Sequence, residues 1–114
     1  MISIDDFAKV EVKVGLVMEA INKEGSEKLI RLTVDLGEEK PRIIFTAVRT
    51  YGYTPEDFLN KKFLFVTNLE YKKIMDEQSQ GMILAVDSSA SSEQVSKPVF
   101  VISEQDVELG AKLR

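Results

Sequence analysis

Ser79, Gln80 and Met82 stand in one short segment with Gly81 among them, and Asn68, Lys72 and Lys73 come shortly before it. Serine, glutamine and asparagine side chains donate and accept hydrogen bonds, so they can read base edges or ribose hydroxyls. The alternative is that they tie down the backbone of their own turns. A lysine pair after a strand end belongs on an exposed loop, where it contacts phosphates or is simply solvated. Met82 offers a polarizable surface on which a base can lie, or it fills core. Gly81 permits a close approach that a Cβ would block. Lys13, Arg31 and Arg49 lie between apolar strand positions or beside a strand end. On an open face they form a basic stripe; otherwise they are the polar half of amphipathic strands. Tyr51, Tyr53 and Tyr71 can stack on bases, with packing the expected role of Tyr51 and Tyr53.

The composition narrows the chemistry. The 114 residues include no cysteine and no histidine. That removes disulfides, thiolate metal sites, and the commonest general base and transition-metal ligand. No ligand run for a hard cation is present, and nothing near the carboxylate pairs supplies a nucleophile, an oriented base or an oxyanion site. The expectation is therefore a non-enzyme with no cofactor and no metal; a carboxylate-dependent hydrolase is the weakest rival. The net charge is −4. The stretch from Phe7 to Val86 carries equal numbers of acidic and basic residues, so the excess lies at the two ends. A neutral body can still present a local basic field. No apolar run reaches the roughly 18 residues of a membrane span, and the acidic start does not read as a signal peptide. A cytoplasmic location is the default expectation.

These side chains need elements to hold them. Val10, Val12, Val14, Leu16, Met18 and Ala20 are apolar at every second position, which predicts a half-buried strand, with a bulge or bend at Gly15. Asn22–Lys28 reads as a hairpin loop, and Ile30–Leu36 as a second alternating strand. Residues 37–40 form a turn, and Arg42–Ala47 a third strand opened by Pro41. Thr54-Pro55-Glu56-Asp57 opens a short helix with Thr54 as cap. Lys62–Asn68 and Gly81–Val86 read as strands four and five. Asp87–Lys97 is serine-rich and reads as an exposed loop, Pro98–Ile102 as a further strand, and Leu109-Gly110 as a late turn. Five strands with one short helix between the third and fourth match an all-β, five-stranded OB-fold barrel with a C-terminal extension. The expected organisation is one domain over 1–114, the barrel at about 7–86 and the extension at about 87–114. The run Pro98–Ile102 exceeds what a small barrel's own core requires.

Several ordered segments carry a resemblance. Gln78–Ala85 resembles the SQGM signature of the tRNA-binding domain family, found appended to bacterial methionyl-tRNA synthetases, as free-standing dimeric tRNA-binding proteins and in EMAP-II-like proteins. Phe7–Gly15, Gly25–Leu29, Leu32–Gly37, Thr54–Glu56, Asn60–Lys62, Val66–Leu69 and Leu109–Arg114 agree in order and spacing. The chain departs from the family pattern at Thr46-Ala47, at Glu70-Tyr71 in place of Lys-Pro, and at Asp76 in place of glycine. The changes at 70 and 76 add negative charge near the implied RNA face. The resemblance implies binding of tRNA, largely independent of sequence and dependent on shape, free-standing or appended to a synthetase. Together with the reading of the residues, it gives Lys13, Arg31, Arg49, Asn68, Lys72, Lys73, Ser79, Gln80 and Met82 as the expected RNA contacts. It also implies a homodimer formed through the C-terminal segment, and possible association with an aminoacyl-tRNA synthetase. The alternative reading is a chaperone-like or assembly domain that binds protein.

Overall fold

The computed structural model describes residues 1–88 and 97–114. In chain order they form helix α1 (Ile4–Phe7) and strands β1 (Val12–Asn22), β2 (Ile30–Asp35), β3 (Arg42–Thr46), β4 (Lys62–Val66), β5 (Lys72–Ile74), β6 (Glu77–Ser79), β7 (Met82–Ile83), β8 (Ala85–Ser88) and β9 (Lys97–Phe100). Five of these make one antiparallel sheet in the order β3-β2-β1-β4-β7, while β5–β6 and β8–β9 are separate hairpins. The sheet curls into a nearly closed barrel of the OB type. The bulk of the expected 87–97 loop, residues 89–96, lies outside the described residues.

Alternation is what builds β2: Ile30, Leu32 and Val34 are fully buried, while Arg31, Thr33 and Asp35 point to the other side. In β1 the expected alternation fails halfway. Val12, Val14 and then Val17 are buried, whereas Met18 is exposed. Gly15 and Val17 face the barrel interior, while Val12 and Val14 are buried outside its main cluster. Val17 pairs with Val34 and Glu19 with Thr33, so Met18 is an extra, bulged residue, and beyond it the inward phase passes to Ala20. Gly15 is not the bulge, since its pairing with Phe63 is regular. A Cβ there would stand 2.7 Å from Val34, 2.8 Å from Leu36 and 2.9 Å from Phe65, so the position is glycine because the barrel interior leaves no room.

The expected helix at 54–57 is a single 3-10 turn, Pro55–Asp57. Thr54 N–H donates to the Asp57 carboxylate at 2.8 Å. The turn places Phe58 in the core against Phe63, at 5.6 Å between ring centres. The α-helix lies instead at the N-terminus, where Ser3 and Asp6 cap each other. The expected fifth strand breaks at Leu84 into β7 and β8.

The C-terminal segment is part of the core. Phe100 on β9 meets Phe58 edge-on at 5.0 Å and Tyr53 at 5.1 Å, so the 98–102 run is not surplus to the barrel as expected. Its other side does stay open: Val86, Val99 and Ile102 are each more than half exposed. The chain end returns to the sheet, with Val14 N–H donating to Ala111 O and Leu113 N–H to Val12 O.

Candidate functional site

β3 is an edge strand of the sheet, and its free backbone must find partners if the barrel is to close. The segment after β6 supplies them. Gln80 N–H donates to Ile43 O, and Ile43 N–H donates back to Gln80 Oε1, both at 2.8 Å. Phe45 N–H donates to Ser79 Oγ at 3.0 Å, and that hydroxyl donates to Gly81 O at 3.3 Å. Arg42 Nη1 donates to Thr67 O and Gln80 O. Two side chains and one backbone amide thus imitate a missing strand. Gly81 fits between them because a Cβ would stand 2.9 Å from Val66 O and 3.0 Å from Ile44.

Beside this clasp opens a groove of about 690 Å³. Leu69, Ile74 and Met82 provide its apolar walls, with Phe45 beneath. Leu69 is 46% exposed and Met82 47%, both high for large apolar side chains set next to one another. Lys28 and Lys72 flank the groove, and Glu70 contributes the single carboxylate. None of these three charged side chains makes an ion pair among the described residues. The groove can take a flat apolar object with an anion attached.

The family model described as "Putative tRNA binding domain" matches residues 12–112. The chain belongs to that family. It is 41% identical, over 99% of its length, to a methionine–tRNA ligase of Methanocella arvoryzae, of which it spans only 15%. The likeness is to the appended tRNA-binding domain and not to the catalytic part. Among solved structures, a MetRS-related protein of Pyrococcus horikoshii superposes with a TM-score of 0.87 at 33% identity, covering 100% of this chain and 98% of that one. The chaperone CsaA of Bacillus anthracis shares the fold, with a TM-score of 0.84 at 24% identity and coverage of 100% and 99%. No described helix is long and apolar enough to cross a membrane.

In this tRNA-binding-family domain the nine expected RNA contacts do not form one cluster. Lys72, Ser79 and Met82 line the groove. Lys72 and Lys73 lie on a strand of the β5–β6 hairpin rather than on the expected loop, and both are exposed. Lys73 faces a neighbouring depression with Asp76, Gln78 and Gln80. Ser79 is 7% exposed, and its hydroxyl belongs to the clasp, as does Gln80.

The other four are engaged elsewhere. Asn68 accepts from Glu11 N–H at 2.8 Å and donates to Lys9 O at 2.6 Å, pinning the segment that follows α1. Lys13 lies between the Glu11 and Glu38 carboxylates, at 3.4 and 3.8 Å. Arg49 donates to Ser26 O. Arg31 grips Glu77 at 3.0 Å. Glu77 also accepts from Lys23 at 2.7 Å, and Lys23 reaches Asp76 at the same distance. The Arg31 bond first, then that from Lys23, holds Glu77 below the usual carboxylate range; Lys23 does the same for Asp76. Thr67, with Lys13 behind it, lowers Glu11. Of the tyrosines, Tyr53 packs and donates to Pro98 O, while Tyr51 and Tyr71 are exposed.

Sequence reasoning passed over Lys28, Leu69 and Ile74. A signal for Leu69 was available: a large apolar residue just past a strand end, between Asn68 and Glu70, has little chance of reaching the core.

Proposed function

We propose that this domain binds tRNA by shape and backbone charge, with the groove beside Met82 as the contact surface and Lys28, Lys72 and Lys73 as phosphate contacts. The observation that carries the reading is the open apolar groove flanked by lysines that make no ion pair among the described residues, in a member of a tRNA-binding family. Apolar walls suit an unstacked base, and ammonium groups suit the phosphates on either side of it. Lys13, Arg31 and Arg49 contribute field rather than direct contacts, because each is held by a carboxylate or carbonyl of the chain itself. A groove flanked by cations argues against the protein-binding alternative for all but acidic peptides.

The domain is not itself an enzyme. It works in the cytoplasm, free-standing or in association with an aminoacyl-tRNA synthetase, raising the local concentration of tRNA. It pairs as a homodimer across the apolar side of β8–β9, where Val86, Val99 and Ile102 are exposed. Residues 1–114 act as one domain.

Titration of total tRNA at several salt concentrations tests the central point. If about three to five phosphates are neutralised, the log-log slope is roughly −2 to −4. Replacing Lys72 and Lys73 by alanine flattens that slope by up to about one unit per lysine and weakens all tRNAs alike. A slope near zero, or no binding at low salt, overturns the proposal.

A further inference from the structure

We propose that Glu70 reads an unstacked guanine in the groove, so that the domain senses base identity there. The inference rests on the tRNA-binding reading and adds a specificity residue to it. Glu70 lines the groove between exposed Leu69 and exposed Tyr71, without an ionic partner among the described residues. A carboxylate beside an RNA surface repels every phosphate, so as a general contact it is unfavourable. It becomes favourable only against a donor edge, because an ionised carboxylate solely accepts hydrogen bonds.

Nucleobases differ sharply on that test. The Watson–Crick edge of guanine presents two adjacent donors, N1–H and the N2 amine, which match both oxygens of one carboxylate. Adenine and cytosine each offer a single exocyclic amine beside an acceptor, and uracil one N–H between two carbonyls. In single-stranded RNA these edges are free to be read. Charge-assisted, bidentate pairing is the stronger kind of hydrogen bond, so the guanine match dominates.

The rest of the groove fits the same occupant. Leu69, Ile74 and Met82 give apolar contact to the faces of a planar base, and about 690 Å³ falls within the roughly 300–1,000 Å³ of sites that hold small ligands. Lys28 and Lys72 answer the phosphate that comes with it. An arginine side chain could also pair with Glu70, but it would enter a groove holding two ammonium groups against one carboxylate. A guanine nucleotide, neutral at its edge and anionic at its phosphate, satisfies both signs.

The test uses a short RNA stem-loop with one unpaired guanosine, and its inosine, adenosine and cytidine counterparts, in fluorescence anisotropy at fixed salt. Inosine lacks only the N2 amine. The expected preference for guanosine over inosine is about tenfold, the size of one hydrogen bond to a charged group. Glu70→Gln lowers that ratio several-fold. Glu70→Lys abolishes it, while raising affinity for the adenosine and cytidine RNAs and steepening the salt slope by up to about one unit. Opposite movements of affinity and selectivity are what a merely structural residue cannot give. Equal binding of guanosine and inosine, or an unchanged ratio in Glu70→Gln, overturns the inference. So does displacement of the RNA by an arginine peptide at lower concentration than by free guanosine monophosphate. If salt-dependent tRNA binding persists in those cases, the assignment of Glu70 alone falls. If no RNA binds at all, the tRNA reading falls with it.

Discussion

Ser79 and Gln80 differ from Lys72 and Met82 in one respect: the first pair is used up by the protein, and the second is not. All four lie within a short stretch of chain and border the same region. Yet Ser79 and Gln80 bond to the backbone of β3, whereas Lys72 and Met82 face outward over the groove. The cause is the edge of the sheet. β3 has no strand on its outer side, and an unpaired buried N–H costs more than an average hydrogen bond gains. The nearest polar side chains are drawn inward, leaving the apolar and cationic ones open over the groove. A polar residue next to a recognition surface can therefore be part of the frame that shapes the surface.

The largest expected effect breaks the clasp. In Ser79→Ala, Phe45 N–H loses its partner inside the barrel, which should cost about 1–3 kcal/mol of folding stability, the penalty for leaving a buried donor unsatisfied. In Gln80→Ala the half-buried Ile43 N–H loses its partner, which should cost about 1 kcal/mol. Urea denaturation measures it. This places the Ser79 hydroxyl's contribution in stability rather than in one hydrogen bond to RNA. If stability holds and tRNA affinity alone falls, the clasp is not what Ser79 is for.

Met82→Ala probes the outward side and should do the reverse. Half of the Met82 surface is already exposed, so truncation should cost under about 1 kcal/mol of stability. A base lying on the thioether is worth about 1 kcal/mol or more, which appears as a several-fold weaker tRNA complex. Melting temperature and tRNA affinity measured on one sample separate the two. A sharp drop in melting temperature with unchanged affinity would mean that Met82 packs and does not recognise.

How much of this was legible in the sequence follows from which forces act locally. The barrel was readable because burial imposes a period of two on β2 and β4, and no other arrangement of Ile30, Leu32 and Val34 satisfies it. The β1 bulge was not, because the apolar run continues unbroken through Val17 and Met18, and only pairing with β2 decides which of them turns inward. Gly15 and Gly81 announced a constraint but not its kind; the crowding at each comes from strands distant in sequence. The β5–β6 hairpin escaped notice because three-residue strands of mixed charge carry no periodicity. For the site, residue types singled out Lys72 and Met82, and both line the groove. They could not distinguish Asn68, Lys13 or Arg31 from free contacts, since their partners Glu11, Glu38 and Glu77 are brought near only by folding.

The smallest effect concerns what holds the β5–β6 hairpin, and so Lys72, against the barrel. The tip residues Asp76 and Glu77 reach Lys23, and Glu77 also reaches Arg31, tying the hairpin to β1 and β2. Both carboxylates are held below their ordinary values of 3.8 and 4.5 by these cations. A carboxylate whose folded value is lowered lends stability that is fully present above its unfolded value and disappears as pH falls through the folded one. The tie is therefore intact at neutral pH and weakens progressively below about pH 4.5. Lys23, raised chiefly by Asp76 and then Glu77, stays charged throughout that range and adds no titration of its own there. Asp76 is exposed whereas Lys23, Arg31 and Glu77 are partly buried, so salt should weaken the Asp76 pair most. Amide hydrogen exchange as pH is lowered from 5 to 3, corrected for intrinsic rates, should show β5 and β6 losing protection before the strands of the barrel. Loss of protection in hairpin and barrel together would mean that the hairpin is held by Ile74 and the backbone rather than by charge, and Asp76→Gly would then leave the exchange pattern unaltered.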